Sequence, residues 1–146
     1  MQSIWFTTMA LLMGVLLSVY LPMNSSVSRY LGSALTANVT FFFIALVTSI
    51  IVFWIWGDHA TMANIKKVPA FLYITGVISA FNILGTTYLI PRVGVRRFFI
   101  LVVCGQILTA VVVSHFGWLT SPKDPISVKK IIGAALVVLG AVFSTM

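Results

Sequence analysis

Acidic side chains are nearly missing from this chain: two stand against nine Lys and Arg in 146 residues, for a net charge of +7. No charged residue of either sign lies in the middle of an apolar run. A buried carboxylate is the usual proton-coupling device of a small cation carrier, so a cation-for-proton exchanger of that design is disfavoured. Cysteine is reduced to Cys104, inside an apolar run. That excludes an intrachain disulfide and says little about redox compartment; the residue reads as a small buried hydrophobe. The opening MQSIWFTTMA lacks Lys and Arg, and no A-x-A site precedes Pro22 and Asn24. A secretory signal is therefore not expected, and the first apolar run reads as a retained span. Low-complexity tracts, internal repeats and Gly-rich phosphate loops are also missing, and no nucleophile has an evident base beside it in sequence. An enzyme is not expected, nor is a cofactor.

What is present is apolar. The chain is 60% hydrophobic and 8% charged, with a mean hydropathy of +1.12. A soluble domain needs far more polar surface, so the expected class is an all-α integral membrane protein whose solvent is the lipid bilayer. About 20 residues at 1.5 Å each cross a hydrocarbon core of about 30 Å. Five spans are predicted: Ile4 to Leu21, closing at Pro22; Ser33 to Trp56; Pro69 to Ile90; Phe98 to Phe116; and Val128 towards Met146. The breakers between them are Pro22-Met23-Asn24, Gly57-Asp58, Pro91-Arg92-Val93-Gly94 and Ser121-Pro122-Lys123-Asp124-Pro125. The connections leave no room for a soluble domain, so residues 1–146 read as a single five-helix transmembrane domain.

An odd number of spans puts the termini on opposite faces. On side A, with the N-terminus, lie Lys66, Lys67, Lys123, Lys129 and Lys130; on side B lie Arg29, Arg92, Arg96 and Arg97. Five against four is almost no bias, whereas an ordinary multispanning protein loads its cytoplasmic loops with Lys and Arg. Dual insertion, with oppositely oriented copies pairing, is one reading. A single orientation set by something subtler, such as the first loop, is the other. Because the cations sit only in connections, without stacking aromatics, they read as topology determinants and headgroup contacts; nucleic acid is not an expected partner. Trp5, Trp54, Trp56 and Trp118 gather near side A and Tyr20, Tyr30 and Tyr88 near side B, which anchors depth without choosing orientation.

Neutral polar residues are the remaining candidates for function. Thr75, Ser79, Asn82 and Thr86 recur at spacings that place them on one helical face, and Gln106 and Thr109 do the same in the fourth span. Asn38 and Thr40 open the second span, and Asn24 follows Pro22. Amides in hydrocarbon need partners and should point inward, either to bond neighbouring helices or to line a solute path. Asn24, Asn38, Asn82 and Gln106 are accordingly the candidate substrate-binding residues. His115 is a possible coupling group because imidazole titrates near neutral pH, though histidines are also common at interfaces. Asp58, His59 and Asp124 share a face but match no ligand spacing, so no metal is expected. Gly133, Gly140 and Ser144 share one face of span five, and Gly105 and Thr109 one of span four, as helix-packing stripes.

From Gly105-Gln106 through Ser114-His115-Phe116-Gly117 the sequence resembles the YdcZ family of small bacterial membrane proteins in the drug/metabolite transporter superfamily. Pro22-Met23-Asn24 with Leu31-Gly32-Ser33, Pro91-Arg92-Val93-Gly94, and Ile132-Gly133 with Leu139-Gly140-Ala141 also fit. The resemblance implies five transmembrane helices that form half of an inverted-repeat ten-helix assembly, as a homodimer or a heterodimer with a homologous five-helix chain. It also implies a multi-pass protein of the bacterial inner (plasma) membrane. Family members often carry Asp before His-Phe-Gly, where this chain has Ser114, and Gln shortly before the first-span Asn, which this chain lacks. The leading expectation is a transporter subunit moving an unidentified small-molecule solute by alternating access as an antiparallel dimer. The alternative is a non-transporting scaffold or regulatory subunit of a larger complex.

Overall fold

The computed structural model describes residues 4–118 and 123–145. Ser121 and Pro122 of the last predicted connection, and Met146 at the end of the fifth span, lie outside the described residues. The helices are α1 (Ile4–Leu31), α2 (Ala34–Trp56), α3 (Ile74–Val93), α4 (Val95–Phe116) and α5 (Val128–Thr145). Two 3₁₀ segments, His59–Lys67 and Ala70–Tyr73, connect α2 to α3. There is no strand among the described residues. All five helices, the third counted from Ala70, are long and apolar enough to cross a membrane.

The α-helix of span three begins at Ile74 and not Pro69, α4 begins at Val95 and not Phe98, and two prolines expected to end helices do not. Span one does not close at Pro22: α1 runs through it for 28 residues to Leu31. Pro91 likewise lies inside α3, which continues to Val93. A proline removes one backbone N–H and crowds the carbonyl four residues earlier, but in a membrane span nearby hydroxyls and neighbouring helices offset that loss. The hydroxyls flanking Pro22 bond other carbonyls, Ser18 Oγ donating to Gly14 at 3.1 Å and Ser26 Oγ to Pro22 at 3.1 Å, so the Ser18 carbonyl that the proline leaves without its helical donor is not served by them. Glycine provides the actual breaks. Gly32 (φ +68°) and Gly94 (φ +85°) adopt left-handed backbone that a side chain would disfavour. Ser33 then caps α2, its hydroxyl accepting from Thr36 N–H at 3.3 Å.

The chain divides into two compact units, Met1–Arg92 and Val93–Met146. The core of the first lies at its side B end. It draws Leu21, Asn24 and Ser25 from α1, Ala37 from the first turn of α2, and Ile83, Thr86, Thr87 and Ile90 from the second half of α3. Tyr20 stacks on Phe41 with ring centroids 5.9 Å apart, joining α1 to α2. The first sixteen residues of α1 are exposed throughout. In the second unit α4 and α5 meet around Cys104 and Ala141, with Cys104 Sγ 3.8 Å from the Val137 carbonyl. A Cβ added at Gly105, Gly133 or Gly140 would meet nothing within 4 Å. The glycine stripes are therefore not close-approach points within this chain. Gly140 and Ser144 do line a groove between α4 and α5.

Candidate functional site

Four polar residues of the first unit, Asn24, Ser25, Thr86 and Thr87, are drawn into its small core. Asn24 is 6% exposed and Thr87 1%, and Asn24 Nδ2 donates to Thr87 Oγ1 at 2.7 Å. The helix continuing past Pro22 makes this bond possible, because it holds Asn24 on the packed face of α1 beside Leu21 and Ser25. Two buried oxygens, Ser25 Oγ and Asn38 Oδ1, have no hydrogen-bond partner among the described residues. An orphaned buried polar atom costs about 1–3 kcal/mol, so these two oxygens weaken the packing of the first unit. Among the described residues no ionisable side chain is buried, so the cluster suits neutral hydrogen-bonding groups better than an isolated ion.

Asn24 also opens onto a groove of about 610 Å³ between α1 and α2, lined on α2 by Thr40, Phe41, Ile44, Thr48 and Ser49. A second groove of about 430 Å³ shares Thr48 and Ser49 and extends along α2 to Trp56 and Gly57. Small-molecule sites commonly occupy about 300–1,000 Å³ with few polar groups, so the first groove is of suitable size. Its hydroxyls are partly committed. Thr40 Oγ1 donates to the Ala37 carbonyl at 3.0 Å, and Ser49 Oγ to the Ala45 carbonyl at 2.7 Å.

The other two predicted amides lie elsewhere. Asn82, near the middle of α3, is exposed, as are Thr75 and Ser79; of that stripe only Thr86 is buried. Gln106, near the middle of α4, is exposed in the second unit. Within the first unit the structure therefore gathers Asn24 with Thr87 and buries the Asn38 oxygen, but leaves Asn82 outside this cluster. Sequence reasoning missed Ser25, Thr87, Thr48 and Ser49. The Thr86-Thr87 doublet was the available signal for one of them, because paired threonines in a span reach past a single face.

His115 has a local role in the second unit. The ring accepts the Ile126 N–H at Nδ1, 3.1 Å away, so a neutral imidazole there carries its proton on Nε2. The preceding carbonyl, Ser114, accepts both Gly117 N–H at 3.3 Å and Asp124 N–H at 2.8 Å. Gly117 takes the left-handed conformation (φ +65°) that ends α4. Lys130 then pairs with Asp124 and donates to the Pro125 carbonyl at 2.8 Å. Ser114-His115-Phe116-Gly117 thus reads as a helix stop that holds the returning chain. Asp58 accepts from Ala60 N–H at 3.0 Å and His59 packs edge-on against Phe53, so both residues expected on the face of Asp124 have local partners of their own.

Five span-length apolar helices, a polar cluster and helix-end cations define a multi-pass integral membrane protein. Residues 5–143, nearly the whole chain, match the family model described as putative inner membrane exporter, YdcZ. The chain belongs to that family and is a multi-pass inner-membrane protein. No curated protein and no solved structure matches it.

Proposed function

We propose that this chain is one half of a small-solute exporter that works by alternating access as an antiparallel dimer. The exposure of Asn82 and Gln106 near the middle of two spans carries the reading. An amide facing lipid tails leaves donors and acceptors unmet, whereas a second five-helix chain laid over these faces would convert them into the lining of a polar path. The near-even distribution of cations supports opposed insertion. In this reading Asn82 and Gln106 contact solute directly. Asn38 offers a buried acceptor, and Asn24 acts at the edge of the path with its Nδ2 held by Thr87. His115 contributes to coupling only through Nε2, because Nδ1 is engaged.

The test has two parts. Reporters fused to the C-terminus, one active only in cytoplasm and one only outside it, should both be strongly active; activity from one alone removes the homodimer and calls for a sister chain. Purified protein should then catalyse solute efflux from vesicles, and Asn82→Ala and Gln106→Ala should abolish it while leaving the fold intact. Flux that survives both substitutions overturns the lining. An absence of any flux, with repeated recovery of one large partner, favours the scaffold role.

A further inference from the structure

The 3₁₀ segment His59–Lys67 joins two spans on one membrane face, and its sequence sorts into rows. With three residues per turn, side chains three apart eclipse one another. His59, Met62, Ile65 and Val68 fall in one row; Thr61, Asn64 and Lys67 in a second; Ala60, Ala63 and Lys66 in the third. The apolar row is uncovered, with Met62 52%, Ile65 53% and Val68 40% exposed. Two contacts fix how the segment is rotated. His59, first in the apolar row, packs edge-on against Phe53 with ring centroids 5.2 Å apart, and Phe53 lies one turn inside α2. At the other end Tyr73 Oη donates to the Ile65 carbonyl at 3.0 Å, tying the segment to the entrance of α3. The apolar row thus starts against α2 at Phe53, and the Thr61-Asn64-Lys67 row lies a third of a turn away from it.

We infer that this segment is an interfacial anchor whose partner is the lipid surface itself: Met62, Ile65 and Val68 enter the acyl boundary, while Lys66 and Lys67 meet anionic headgroups. Trp54 and Trp56, 79% and 78% exposed at the end of α2, set the same depth. The arrangement is that of an amphipathic helix lying in the interface, with cations on the polar side and an apolar stripe below. It is held at both ends by spans, so it cannot leave the surface as a free peptide would.

A single-cysteine series in a Cys104→Ser background tests this with the full chain in vesicles. Positions 61 to 68 are replaced one at a time, labelled with an environment-sensitive fluorophore, and probed with a lipid-borne quencher and an aqueous one. Lipid quenching should exceed aqueous quenching severalfold at Met62→Cys, Ile65→Cys and Val68→Cys, and the order should reverse at Thr61→Cys, Asn64→Cys and Lys67→Cys. Replacing phosphatidylglycerol-containing vesicles by phosphatidylcholine alone, or introducing Lys66→Gln with Lys67→Gln, should shift the inserted-to-free ratio by roughly fivefold for each lysine that no longer meets an anionic headgroup. Uniform access to the aqueous quencher overturns the proposal. So does shielding that ignores lipid charge and comes with Met62→Cys cross-links between two chains, because the row would then cover a second copy instead of lipid.

Discussion

Lipid gives helices no hydrophobic reason to associate, and the two units of this chain meet that condition differently. In the first, the join is made by side chains: Asn24 on α1 to Thr87 on α3, with Tyr20 stacked on Phe41. In the second, every join has a backbone partner. The Ser114 carbonyl accepts the Asp124 amide, the His115 ring accepts the Ile126 amide, and Cys104 Sγ lies against the Val137 carbonyl. A side-chain join is removed by one substitution. A backbone join at a helix end depends on a conformation, and is vulnerable chiefly where that conformation needs glycine.

The sharpest way to break the comparison is Asn24→Ala. The interhelical bond itself is worth only about 0.6 kcal/mol on average in membranes. Its loss also orphans the hydroxyl of Thr87, a residue only 1% exposed, so the total cost should approach about 1–3 kcal/mol. Detergent unfolding followed by tryptophan fluorescence should show this loss, and Asn24→Ala with Thr87→Val should recover part of it. Full additivity of the two would mean the pair does not join α1 to α3. Next in size, Gly117→Val should cost about 1–2 kcal/mol through its left-handed backbone, again in the unfolding midpoint. His115→Leu should lose about 1 kcal/mol, showing as faster amide exchange at Ile126 while the exchange of Thr87 stays unchanged. Smallest, Asn82→Ala and Gln106→Ala should change monomer stability by less than about 0.5 kcal/mol because both are exposed. A large destabilisation from either would place it in the packing of its unit and remove it from the proposed path.

The five apolar stretches were legible because hydropathy over a span-length window is the strongest signal a membrane sequence carries. Their ends were less so. Pro22 and Pro91 look like stops by the rules of soluble helices, yet both sit inside helices, and Gly32, ten residues after the first, and Gly94, three after the second, do the stopping. Asn24 was identifiable as a polar group needing a partner, and it has one. The Thr86-Thr87 doublet did not mark Thr87 as its partner, because Thr87 lies 63 residues away and a threonine in a span commonly bonds its own helix, as Thr8 and Thr145 do. The Ser114-His115-Phe116-Gly117 stretch stood out as a piece of the family resemblance, and its observed contacts are those of a helix end and turn.

α1 and α5 differ by ten residues, 28 against 18. At 1.5 Å per residue they measure about 42 and 27 Å, against a hydrocarbon slab of about 30 Å. α5 nearly matches the slab standing upright, while α1 must lean steeply or stand proud of it. The portion of α1 in question is the polar one beyond Pro22, which carries Asn24 and Ser25. Bilayer thickness therefore governs how close the Asn24–Thr87 pair lies to water: a thin membrane lifts it towards the headgroups, and a thick one draws it into oil.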